Sequence, residues 1–67
     1  MSRKVTDNIE AERVRNRMTL DAFCEKLGTP RDTYKGWRKK GDVSCSVIIK
    51  CMEIFNVSAD YLLRDVQ

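Results

Sequence analysis

The stretch LDAFCEKLGTPRDTYKGWRKK, residues 20–40, decides how this chain is read. Leu20, Phe23, Cys24 and Leu27 recur at i, i+3, i+4 and i+7, which is one face of a short helix. Thr19 in front suits the N-cap, and Gly28 behind supplies a left-handed stop. A further helix follows at once. Thr29 can accept from its exposed amides, Pro30 suits the first helical position because it has no amide to lose, and Asp32 can reach back as the acidic half of a capping box. With so little chain between stop and start, the two helices must meet at a steep angle, as a helix-turn-helix. Cys24 is small enough for the close crossing this demands. In the later helix, expected over about residues 30–38, Tyr34 and Trp37 can lie on the core while Arg31, Asp32, Lys35 and Gly36 fall elsewhere. A helix so sparsely apolar keeps a polar face free.

Outward from this stretch, Val5, Ile9, Val14 and Met18, with Ala11 close by, predict an earlier helix over about residues 7–17. Its other face carries Arg13, Arg15 and Arg17. After KKGDVS, Ser44 can cap a fourth helix that buries Val47, Ile48, Cys51, Met52 and Phe55, widened by Ile49 and Ile54; it is expected to be the most buried of all. Asn56 ends it. Ser58 caps a fifth, with Asp60 favourable in its first turn and Val57 and Leu62 placed as a hydrophobic staple. The expectation is an all-α, compact five-helix bundle forming one domain, with residues 1–6 and the end of the chain loose.

Sixty-seven residues lie near the lower limit for folding without metals, disulfides or a partner, which leaves little room for a large catalytic cleft. No apolar run approaches the roughly 20 residues needed to cross a bilayer, and no apolar stretch follows the basic start, so a secretory signal is not expected. A cytoplasmic protein is the expectation. Cys24, Cys45 and Cys51 are odd in number, lack C-x-x-C spacing and have no histidine beside them, so they read as small core residues. Without histidine the commonest general base near neutral pH is missing, and no paired carboxylates, nucleophile and base, or phosphate loop stands out; an enzyme is not expected, nor a cofactor, metal or small molecule. The net charge of +3 is unevenly spread: residues 13–41 carry +6 and the remainder −3. That asymmetry suits a polyanion.

MTLDAFCEKLGTPRDTYKGW and IFNVSADYLL resemble the Cro and phage-repressor type of helix-turn-helix domain, also called lambda-repressor-like, over about residues 5–63. The resemblance implies a five-helix bundle with helices 2 and 3 as the helix-turn-helix, helix 3 entering the major groove of double-stranded DNA, commonly as a homodimer on a palindromic operator. It assigns base contacts to Arg31, Asp32, Lys35 and Gly36. Arg31 has the firmest chemistry, since its fork can pair with guanine O6 and N7; Asp32 can accept from cytosine N4 or be consumed in capping its own helix. Backbone contacts fall to Arg17, Thr19, Thr33, Arg38, Lys39 and Lys40, with Thr33 also within reach of a thymine methyl. Tyr61, Leu62 and Leu63 are candidates for the dimer contact. Leu20 departs from a phosphate-binding glutamine common in the family. Arg38 replaces an acid that usually pairs with an arginine of the first helix, here Arg13, so two like charges are expected to face each other.

The implied function is a transcriptional regulator, a repressor from a phage, mobile element or bacterial operon. The antitoxin of a toxin pair, or an adaptor that kept the fold and binds protein, is the alternative.

Overall fold

The computed structural model describes residues 3–66. Its helices are α1 (Val5–Arg15), α2 (Leu20–Leu27), α3 (Arg31–Lys40), α4 (Cys45–Phe55) and α5 (Ala59–Leu62). Among the described residues there is no strand, only a single bridge between Arg3 and Val66, and no helix is long and apolar enough to cross a membrane. The radius of gyration, 10.9 Å, is about that of a compact domain of this length.

Helix α2 forms as its sequence dictates. The Thr19 hydroxyl accepts from the amide of Ala22 at 3.1 Å. Gly28 turns left-handed at φ 69°, so that its own amide reaches the carbonyl of Glu25 and that of Thr29 the carbonyl of Cys24. Lys50, reaching over from α4, donates to the carbonyl of Leu27 at 3.1 Å and covers one more orphan acceptor. Phe23 is fully buried, stacked on Phe55 of α4 with centroids 5.3 Å apart and edge-on to Tyr34 of α3 at 5.6 Å. Three helices meet on this one ring.

Helix α3 starts one residue later than its sequence suggests. Pro30 is extended, with ψ 150°, and stands at the N-cap instead of the first helical position. Asp32 is therefore the second helical residue, one short of the position a capping box requires, and no side chain caps the helix. Its carboxylate stays exposed. At the other end Gly41 is left-handed at φ 78°, and a Cβ there would lie 2.8 Å from Cγ of Lys4.

The largest departure concerns α1. Val14 is 59 % exposed and Ala11 is exposed too, while Val5, Thr6, Asn8, Ile9 and Glu12 are buried. Val14 lies five residues beyond Ile9, about 140° round the helix, which turns it from the core. The true face runs Val5, Asn8, Ile9, Glu12 at i, i+3, i+4, i+7, and half of it is polar. Asn8 donates to the carbonyls of Leu62 at 2.8 Å and Arg64 at 2.9 Å, and Tyr61 Oη donates to Glu12 Oε1 at 2.8 Å. The two Asn8 bonds satisfy one carbonyl at the end of the four-residue α5 and one just beyond it.

The start of the chain is correspondingly not a loose arm from Arg3 onward. Arg3 N–H donates to the carbonyl of Asp65 at 3.2 Å, its guanidinium meets the Asn8 side chain, and Val5 and Thr6 are buried in α1. The remainder of that expected arm, residues 1–2, lies outside the described residues.

Helix α4 is not the most buried helix. Only Cys51 and Phe55 are buried, Ile49 is 53 % exposed, and Val47, Ile48, Met52 and Ile54 are partly covered. Its apolar residues surround the helix, and a bundle this small can cover only one side. The Ser44 hydroxyl, placed to cap it, bonds Ser46 Oγ instead. Cys24 and Cys51 are core residues, as their size suggested, but Cys45 at the start of α4 is exposed. Burial pushes the Cys51 thiol up to about 11 and the Cys24 thiol up as well, so both stay neutral at ordinary pH.

Candidate nucleic-acid interface

Helix α3 is fixed from behind and open in front. Behind, Tyr34 is buried against Phe23, and its hydroxyl donates to Glu10 Oε1 of α1 at 2.8 Å. Glu10 in turn takes both arms of the Arg13 fork, at 3.0 and 2.6 Å, while the remaining Arg13 nitrogen donates to the carbonyl of Met18 at 2.6 Å. A second tie joins Arg38 to Asp7 at 2.9 Å. The Arg13 guanidinium holds Glu10 below its usual range, and the amide of Lys4 followed by Arg38 does the same for Asp7. Burial, with the Glu10 carboxylate beside it, raises the Tyr34 hydroxyl far above its ordinary value and keeps it a donor.

The expected clash of Arg13 with Arg38 is thus absent, because each has found its own acid on α1. Those acids precede residue 13, so the +6 counted along residues 13–41 is partly cancelled by the fold. Arg15 joins this balance through Glu12 and the Tyr61 hydroxyl. Within residues 13–41, what stays outside any ion pair is Arg17, Lys26, Lys35, Lys39 and Lys40, against Glu25 and Asp32. The basic excess survives in reduced form.

In front, Arg31, Lys35 and Lys39 succeed each other at four-residue steps and form one exposed row, with Asp32 and Gly36 forming the next. Tyr34 and Trp37 occupy the opposite side. A Cβ on Gly36 would meet nothing within 4 Å, so no packing inside the molecule asks for glycine there. Thr33 and Lys40 are exposed at the margin of these rows. Arg38 is half engaged with Asp7, its side chain 36 % exposed. Arg31 is not wholly free either: its Nε lies 3.3 Å from Asp21 Oδ1 on α2.

The turn before α2 adds Arg17 and Thr19, both exposed. Arg17 holds a left-handed conformation, φ 56°, with its amide on the carbonyl of Val14. The Thr19 hydroxyl accepts from Ala22 and still has its own proton to donate. Leu20, the first residue of α2, offers no phosphate ligand and is packed partly against the core.

The dimer candidates separate. Leu62 is fully buried and closes the core, so it has no surface to offer a second chain. Tyr61 is held inside its own chain by Glu12, Arg15 and the Arg64 guanidinium 4.1 Å over its ring. Leu63 is exposed and lines an open cleft with Val5, Ile48 and Val66. Residues 8, 10, 12 and 21 carry no mark of a role in the sequence; Asn8 and Glu12 sit at helical spacing from Val5 and Ile9, but polar side chains do not register as part of an apolar face. No family model matches the chain, and neither the curated proteins nor the solved structures contain a significant match.

Proposed function

We propose that this chain is a sequence-specific double-stranded DNA-binding regulator with a lambda-repressor-like helix-turn-helix, α3 entering the major groove. The observation that carries the reading is the front of α3: an exposed row of Arg31, Lys35 and Lys39 on a helix whose back is fixed by Tyr34. Arg31 supplies a fork for guanine, and Asp32, freed from capping, an acceptor for cytosine N4. Gly36 lets a base edge or sugar approach the helix backbone. Arg17, Thr19, Thr33, Lys39 and Lys40, with the free part of Arg38, hold phosphates and set the register. Bound at a promoter, such a domain acts by excluding polymerase, as a repressor does, and a homodimer on a palindrome doubles the contact.

A second reading, in which the chain also binds another protein as the antitoxin of a toxin pair does, is favoured by one observation. Ile49 on α4 and Leu63 just after α5 are large apolar side chains left exposed.

Selection from a randomised duplex pool at two salt concentrations, with Arg31→Ala alongside, tests the proposal. A palindromic site, relaxed at one guanine in the variant and lost steeply as salt rises, is the expected result. Retention of no particular sequence would overturn it.

A further inference from the structure

Asp21 stands in the first turn of α2, beside the first residue of α3. Its Oδ1 is 3.3 Å from Nε of Arg31, with the two side chains 75 % and 55 % exposed. So exposed a pair adds little to stability, and the helices are already held by Phe23 and Tyr34. What the contact does supply is geometry. An arginine guanidinium is a rigid flat fork, and a carboxylate whose closest approach is to Nε leaves the two terminal nitrogens side by side and free. Those two parallel donors are what guanine O6 and N7 accept. Arg31 makes no other ion pair and no side-chain hydrogen bond among the described residues, so Asp21 is the one charged group beside it.

We infer that Asp21 is a positioning residue for base readout, holding Arg31 with its terminal nitrogens turned outward; the inference rests on the DNA-binding reading above. The same carboxylate works against attachment to any duplex, because it adds a negative charge beside the surface that meets phosphates. Asp21 therefore lowers general affinity and raises discrimination. A residue serving only the fold of α2 would do neither.

The test compares the wild-type chain with Asp21→Asn, Asp21→Glu, Arg31→Ala and the double variant Asp21→Asn/Arg31→Ala. Each is titrated with the duplex retained from a random pool and with the same duplex altered at the guanine that Arg31→Ala relaxes. Asp21→Asn is expected to lower the preference for the retained duplex by about three- to tenfold, part of what one bidentate base contact supplies, while binding the altered duplex as well or better. Asp21→Glu should restore part of the preference, and Asp21→Asn should change nothing further once Arg31 is alanine. Thermal midpoints should be alike for the wild type and both Asp21 variants. An equal change on both duplexes, with or without Arg31, would overturn the inference and reduce Asp21 to a nearby charge. So would a gain in preference, which would mean that the contact restrains Arg31. A wild-type chain without sequence preference would instead overturn the DNA-binding reading itself, an outcome read before any Asp21 variant is compared.

Discussion

Around Phe23 the chain is held by stacked and edge-on rings shared among α2, α3 and α4, whereas the seam between α1 and α3 is held by charged and hydrogen-bonded groups. The ring cluster is insensitive to direction: apolar burial rewards area, and several packings of similar volume would do. The seam is directional. Tyr34 Oη must meet Glu10, Glu10 must be pinned by Arg13, and Arg38 must meet Asp7, so these bonds specify how α3 is rotated and which face it turns outward. The first region decides whether the chain folds, and the second where its candidate reading face points.

The comparison is broken most severely at its centre. Phe23→Ala should cost about 3–5 kcal/mol, much of the margin of so small a domain, and leave the chain largely unfolded in a urea titration followed by circular dichroism. Tyr34→Phe keeps the ring and removes the hydroxyl, with an expected loss of about 1.5 kcal/mol from a bond to a carboxylate. Its helix content should persist; a loss as large as that of Phe23→Ala would show that the seam is no separate part.

Acid probes the seam without any substitution. Glu10 and Asp7 bind protons less tightly in the fold than their ordinary values of 4.5 and 3.8. Their contribution is therefore complete above those values and is lost as pH falls through the lower values they hold in the folded chain. The urea midpoint should stay level from pH 7 to about 5 and then decline. Glu10→Gln should flatten that decline, and an unchanged profile would remove Glu10 from the seam's support.

The smallest effect has the opposite sign. Gly36→Ala meets open space and should stabilise the helix by up to about 1 kcal/mol, read as a small rise in thermal midpoint. If a base or sugar approaches this backbone, the same variant binds the selected duplex less well. Stability gained with binding unaffected would take Gly36 out of the interface.

Much of this architecture was legible in residues 20–40. Thr19, Gly28 and the Phe23–Cys24–Leu27 face act over three or four residues, so their meaning is complete within the helix they build. Asn56 and Ser58 were legible for the same reason. The start of α3 was misplaced by one residue, because Pro30 tolerates both the N-cap and the first helical position and only the turn's path chooses between them. The buried face of α1 was misread, because Asn8 and Glu12 are buried by partners on α5 that no local pattern announces. That Arg31, Asp32, Lys35 and Gly36 lie away from the core followed from helical spacing alone, but that α3 runs on to Lys40 and adds Lys39 to the row, and which bases remain unpaired, did not.

By itself the sequence determined five helices, where α2 and α4 stop, and which residues of α3 turn from the core, since hydrogen bonds and side-chain neighbours three or four positions apart settle these matters. The tertiary structure decided the rest: that Arg38 and Arg13 are neutralised by α1, that Leu62 lies inside while Leu63 lies outside, and that Asp21 stands beside Arg31. Partners such as Arg38 and Asp7, 31 residues apart, or Asn8 and Leu62, 54 apart, meet only after the helices have packed, because their attraction is too weak and too screened to find them in the open chain.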